Sequence, residues 1–221
     1  MTQSQFVPTL VRVAPLRNID PTGLYHVMSR GNYKQTIFPD DSHFTKYLEL
    51  VDCVADHRRW IVLDWCLIPN HYHLLIQLQN DGLSDGMRDL NGRFSRWSNR
   101  ETGRTGTGHL VKNRPTFVNV VREGHLWELL PYIPLNPVRA GLSEDPAGWR
   151  WSGYRATIGL EQPRRFHRPN ELLRLFAQDR TRAITLYQAL VRESRVRDGQ
   201  PDWSDQVVKA PPLASVVESR S

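Results

Sequence analysis

The run from Trp60 to Leu78 reads WIVLDWCLI, then Pro69-Asn70, then HYHLLIQL, and it admits few folds. Both halves are rich in β-branched, aromatic and aliphatic residues. A two-residue turn joins them, so they predict an antiparallel hairpin of strands over 60–68 and 71–78. Side chains alternate across a strand. Tyr72, Leu74, Ile76 and Leu78 therefore share one face, and His71, His73, Leu75 and Gln77 the other. The apolar row needs a core beneath it. That leaves the second face, where two imidazoles aim the same way, available for chemistry.

The segments around this hairpin complete a pattern. Leu24 to Ser29 predicts a strand, ended by the turn signal Arg30-Gly31-Asn32. Phe44, Tyr47, Leu48, Val51 and Val54 recur at helical spacing within 41–57. Ser84 is suited to cap a second helix, on which Leu83, Met87, Leu90, Phe94 and Trp97 form an apolar stripe and Arg93, Arg96 and Arg100 a basic one. After the loop TGRTGTG, residues 116–121 predict a closing strand. Strand, helix, hairpin, helix, strand is the order of an α+β, ferredoxin-like antiparallel sheet with helices on one face and the opposite face open to a substrate. Residues 1–22 read as an irregular arm and 23–145 as the main domain. A C-terminal helical extension is expected over 146–196, with helices near 170–177 and 180–193, and the polar tail, 197–221, is expected to be disordered.

A length of 221 residues allows one good core plus an appendage. The formal net charge is +6, the pI is about 9.6, and arginine far outnumbers lysine. This favours phosphate-bearing partners, because guanidinium forks match phosphate oxygens bidentately. No stretch approaches the ~20 apolar residues of a membrane span, and the N-terminus lacks a secretory pattern, so a cytoplasmic protein with no membrane partner is expected. Cys53 and Cys66 follow no zinc or redox spacing and read as reduced, packed thiols.

Some sixty residues beyond the histidine pair, LLPYIPLNPVRAGL contains Tyr132 and, four positions later, Asn136. These are suited to supply a nucleophile and a further metal ligand. Asn136 before Pro137 equally fits a helix N-cap, with Gly141 ending the turn. Asp64 reaches the histidine face only if the strand register allows it.

YHVMSRGN, CLIPNHYHLLIQL, LNGRFSRWSNRETGRTG and YIPLNPVRAGL, in this order and at these separations, resemble the REP-associated tyrosine transposases, which are single-tyrosine HUH transposases of bacterial insertion sequences. The resemblance runs from about Leu24 to Gly159. It implies a ferredoxin-like fold that cleaves and rejoins single-stranded DNA bearing hairpins of REP-like palindromes, with a divalent metal, Mg²⁺ or Mn²⁺, and a covalent 5′-phosphotyrosine intermediate. It matches His71 and His73 to the histidine ligands, Tyr132 to the nucleophile and Asn136 to a polar position where relatives often carry glutamine. It also implies that Arg93, Arg96, Arg100, Arg104, Lys112 and Arg114 track phosphates and that Arg30 and Asn32 read bases.

Tyr33, Phe94, Trp97 and Phe117 are candidate stacking surfaces for unpaired bases. A phenol with a pKa near 10 is a poor nucleophile toward a phosphodiester, and a divalent cation compensates by stabilising the transition-state charge. Pro131 and Pro134 flank Tyr132, so a kinked or irregular segment is expected there. The protein is expected to act as a monomer or homodimer. A domesticated hairpin-binding protein that does not cleave is the alternative reading. A histidine-triad hydrolase would need a third alternating histidine where this chain has Leu75.

Overall fold

The computed structural model describes residues 23–32, 35–80, 82–104, 110–111, 115–196 and 207–208. The expected arm at 1–22 and most of the tail lie outside these residues, as do Tyr33, Lys112 and Arg114. Four main strands, β1 (Leu24–Arg30), β2 (Ile61–Ile68), β3 (His71–Gln77) and β4 (Thr116–Asn119), form an antiparallel sheet in the order β2-β3-β1-β4. A short β5 (Val207–Val208), within the stretch expected to be disordered, pairs with β4. Helices α1 (Asp41–Arg58) and α2 (Leu83–Glu101) supply the two crossovers of the expected α+β fold.

The hairpin forms as the spacing predicts. Pro69-Asn70 is the turn, and Ile68 pairs with His71. Asp40 caps α1 by accepting from the amides of Ser42 and His43, and Arg59 ends it in the left-handed conformation at φ 54°. The expected cap at Ser84 is not found. Helix α2 starts two residues earlier, after Gly82 at φ 113°, a conformation in which glycine is unstrained.

One face of the sheet carries the core shared with α1 and α2, built from Val27, Val62, Tyr72, Leu74 and Ile76 against Tyr47, Leu48, Leu90 and Phe94. The other face is not open, contrary to expectation. Helix α3 (Glu123–Arg139) and the extension cover it, burying Leu24, Leu63, Leu75 and Val118 against Leu126, Leu129, Leu130, Ile133 and Tyr187. Alternation in β3 gives the histidine side a largely polar row, whereas β1 and β2 place the aliphatic side chains of Leu24 and Leu63 there.

The extension contains α4 (Tyr154–Thr157), α5 (Pro169–Leu173) and α6 (Arg180–Val196). It also closes the edge of the sheet. Leu67 N–H donates to Trp151 O at 2.8 Å, Gly153 N–H to Trp65 O at 2.8 Å and Arg168 N–H to Val62 O at 2.9 Å, which satisfies backbone groups that an edge strand leaves exposed. Among the described residues, no helix is long and apolar enough to cross a membrane.

Helix α3 runs without interruption through Pro131, Pro134 and Pro137, which overturns the expectation of an irregular segment. Each interior proline costs about 3 kcal/mol and orphans the carbonyl four residues earlier. Two of those carbonyls find substitutes. The Tyr187 hydroxyl of α6 reaches Leu130 O at 3.5 Å, and the Asn136 amide reaches Ile133 O at 3.5 Å. Five aliphatic side chains of α3, at Leu126, Leu129, Leu130, Ile133 and Leu135, are buried to within 1% of completely. At about 1.5–3 kcal/mol each, their burial is large enough to hold the helix together against the prolines.

Candidate metal and nucleophile site

The site lies between β3, β1 and α3. His73 projects from the middle of the sheet and is 2% exposed, whereas His71, at the hairpin turn, is half-buried. Their rings stand edge to face with centroids 5.0 Å apart. Tyr132, Asn136 and Arg139 follow at four- and three-residue spacing on α3 and so share the helix face turned to the histidines. The Tyr132 ring meets His73 edge-on at 5.4 Å. The structure therefore brings together all four of the residues expected to hold metal and nucleophile.

The hydrogen bonds decide which atoms point inward. Asn136 is a mid-helix residue and not an N-cap, and Gly141, at φ 68°, follows the end of α3. The Asn136 Nδ2 donates to Tyr132 O at 2.9 Å, and this turns its Oδ1 toward His71. His71 Nδ1 donates to Asn70 Oδ1 at 2.7 Å, so its neutral ring carries a lone pair on Nε2. That nitrogen stands 3.4 Å from Asn136 Oδ1. Two acceptors thus face each other with no proton between them, and cis donors around an ion bound at 2.0–2.2 Å are about 3 Å apart. His73 Nε2 is buried with no hydrogen-bond partner. Burial lowers His71 to about 4, aided by Arg30, and drives His73 well below the usual range, aided by His26 and His71. Both rings are therefore neutral at physiological pH, as metal ligation requires.

Two nitrogens and one oxygen form a donor set that fits Mn²⁺ or Mg²⁺ with the remaining positions left for water or phosphate oxygen. Among the described residues, no three His, Cys, Asp or Glu side chains gather as a metal cluster. Asp64 does not join the set. It is wholly buried, accepting from Trp65 N–H at 2.8 Å, and lies 3.4 Å from the Tyr187 hydroxyl.

Tyr132 is 9% exposed, and burial raises its phenol pKa against the opposing pull of Arg139, Asn136 and Arg30. The Arg139 guanidinium lies over its ring at 5.1 Å. Arg139 was not anticipated, although its seven-residue distance from Tyr132, two helical turns, was readable. His26 was also missed. It lies on β1 at the same two-residue parity as Met28, which pairs with His73, and its Nε2 is 2.8 Å from His73 Nδ1.

The other expected contacts divide. Arg30 pairs in register with His71 and joins the site, while Asn32 donates its backbone amide to Leu110 O at 3.2 Å in the adjoining turn. Arg93, Arg96, Arg100 and Arg104 are exposed, on or just after α2, which covers the opposite side of the sheet from Tyr132. Arg93 is further engaged by Asp89 at 3.0 Å. Phe94 and Phe117 belong to the core and offer no stacking surface, and Trp97 packs edge-on against His43 at 4.9 Å. Cys66 is buried as expected, but Cys53 is exposed.

Residues 22–120 match the family model of the IS200-like transposases. The fold matches a solved structure of a REP-associated tyrosine transposase bound to a REP hairpin, with a TM-score of 0.53 and 16% identity over 62% of this chain and 79% of that one. No curated protein matches the chain. The matched family segment contains both histidines and ends before α3, so Tyr132 and Asn136 enter through the tertiary structure. Residues 22–120 are thus similar to the IS200-like transposases, and the chain shares the α+β fold of the solved REP-associated tyrosine transposase.

Proposed function

We propose that the protein cleaves and rejoins single-stranded DNA next to a hairpin through a covalent bond to Tyr132. The observation that carries the proposal is the approach of His71 Nε2 to Asn136 Oδ1, 3.4 Å apart, beside a tyrosine on the same helix as Asn136. His71, His73 and Asn136 would hold a Mg²⁺ or Mn²⁺ ion, which would supply Lewis acidity at the scissile phosphate. The Tyr132 oxygen attacks phosphorus, forming a 5′-phosphotyrosine as the bond to the 3′-oxygen breaks. The phenolic proton ends on that 3′-oxygen, and the reverse reaction rejoins the strand. Arg139 and Arg30 favour the ionised phenol, against the burial that raises its pKa. Guanidinium groups at this position also suit a phosphate, which makes Arg30 a DNA contact of the site.

The test is incubation with hairpin-bearing single-stranded oligonucleotides and Mg²⁺ or Mn²⁺, followed by a denaturing gel. A protein–DNA adduct is expected for the wild type and none for Tyr132→Phe. An adduct that persists in the variant refutes the assignment. A second reading, hairpin binding without cleavage, is favoured by the 9% exposure of Tyr132. Tight hairpin binding with no adduct under either metal would select it.

A further inference from the structure

We infer that His26, outside the proposed donor set, is a positioning residue that fixes the tautomer and orientation of His73 so that Nε2 offers its lone pair to the metal. This rests on the metal reading of the site. His26 lies on β1 opposite Leu75, diagonal to His73, and its side chain emerges on the same sheet face. The two rings are nearly coplanar and meet edge to edge, with centroids 5.1 Å apart and planes 17° from parallel. His26 Nε2 and His73 Nδ1 are 2.8 Å apart, and both side chains are buried.

Both rings are enclosed and meet nitrogen to nitrogen at 2.8 Å, so the contact carries one proton between them. With that proton on His73 Nδ1, His26 accepts it and His73 Nε2 is bare. The opposite arrangement would put N–H on Nε2, where it would repel a cation. His71 shows the same division of labour, since its Nδ1 donates to Asn70 Oδ1 while its Nε2 faces the site. Asn70 and His26 thus serve the two ligands in parallel. Metal-bound histidines generally rely on such an acceptor behind the ring, and losing it weakens metal affinity about 10–100-fold. An imidazole acceptor also brings no charge into a region that excludes water.

The experiment compares Mn²⁺ binding by full-length wild type, His26→Phe and His26→Gln, using the electron paramagnetic resonance signal of free Mn²⁺. His26→Phe fills the space and cannot accept a proton, so it should bind about 10–100-fold more weakly. His26→Gln offers an amide oxygen to His73 Nδ1–H and should stay within a few-fold of wild type. Nitrogen-15 NMR of the Mg²⁺-loaded wild type should show His73 protonated on Nδ1, and this readout decides the matter if His26→Phe does not fold. Equal Mn²⁺ affinity in wild type and His26→Phe, no rescue by glutamine, or a proton on His73 Nε2 would overturn the inference while leaving the metal site standing. Failure of the wild type itself to bind Mn²⁺ would remove the metal reading and this inference together.

Discussion

Replacing Asp64 with asparagine should stabilise the protein in alkaline solution and have little effect in acid. Asp64 is wholly enclosed between β2 and the extension, and burial pushes its carboxyl up to about 7 from an ordinary 3.8, against the opposing Trp65 amide and Tyr187 hydroxyl. The native state therefore keeps a proton that the unfolded chain releases near pH 4. The stability that Asp64 contributes is full below that value, falls as pH rises from about 4 to 7, and is constant above. At about 1.4 kcal/mol per pK unit, the loss amounts to about 4 kcal/mol.

Asparagine keeps the shape and cannot ionise. Its Oδ1 can accept from Trp65 N–H, and its Nδ2 can donate to the Tyr187 oxygen. Urea unfolding of both proteins across pH 4–8.5 gives the difference in free energy at each pH. His71 and His167, both lowered by burial to about 4, make stability rise between about pH 4 and 6.5. They do so equally in both proteins and cancel in the difference. The difference should grow by about 4 kcal/mol from pH 4 to pH 8. A flat difference would refute the reasoning, because it would mean that the carboxylate is as well solvated in the fold as outside it.

Gly31→Ala should cost about 1–3 kcal/mol in urea unfolding, since a Cβ there would overlap the Gln35 carbonyl oxygen and approach Ile37 Cγ2 to 2.9 Å. Unchanged stability would show that the turn holding Arg30 yields freely. Tyr187→Phe strips the hydroxyl that stands in for the missing Pro134 amide at Leu130 O, and should cost about 1–3 kcal/mol by the same assay. A loss within experimental error would mean that another group serves that carbonyl. Arg96→Gln with Arg100→Gln should lower the slope of log affinity for single-stranded DNA against log salt by roughly 1.4, at about 0.7 per phosphate contact. Arg93→Gln should change the slope less, because Asp89 already engages that arginine. An unchanged slope in the double variant would remove α2 from the DNA surface.

The secondary structure was legible because it is encoded locally. Two-residue alternation in 71–77, the Pro69-Asn70 turn and the 3–4 spacing of Phe44, Tyr47, Leu48 and Val51 placed strands and helices within a residue or two of where they form. Tyr132 and Asn136 entered through motif resemblance, and no local pattern joined them to the histidines. Helix α3 was misjudged for a physical reason. The three prolines carry their cost in the sequence, but the compensating Tyr187 hydroxyl lies 57 residues from Leu130 and the burying surfaces lie on other elements.

By itself, the sequence determined the hairpin and the side of β3 on which both imidazoles stand, since both follow from backbone period alone. Tertiary structure decided that both sides of the sheet are covered and which way the Asn136 amide turns. It also decided which carboxylate is dehydrated and which imidazole backs His73. Those outcomes depend on partners brought close by packing, and hydrogen bonds and desolvation are set by what lies within a few ångströms in space, however far apart along the chain.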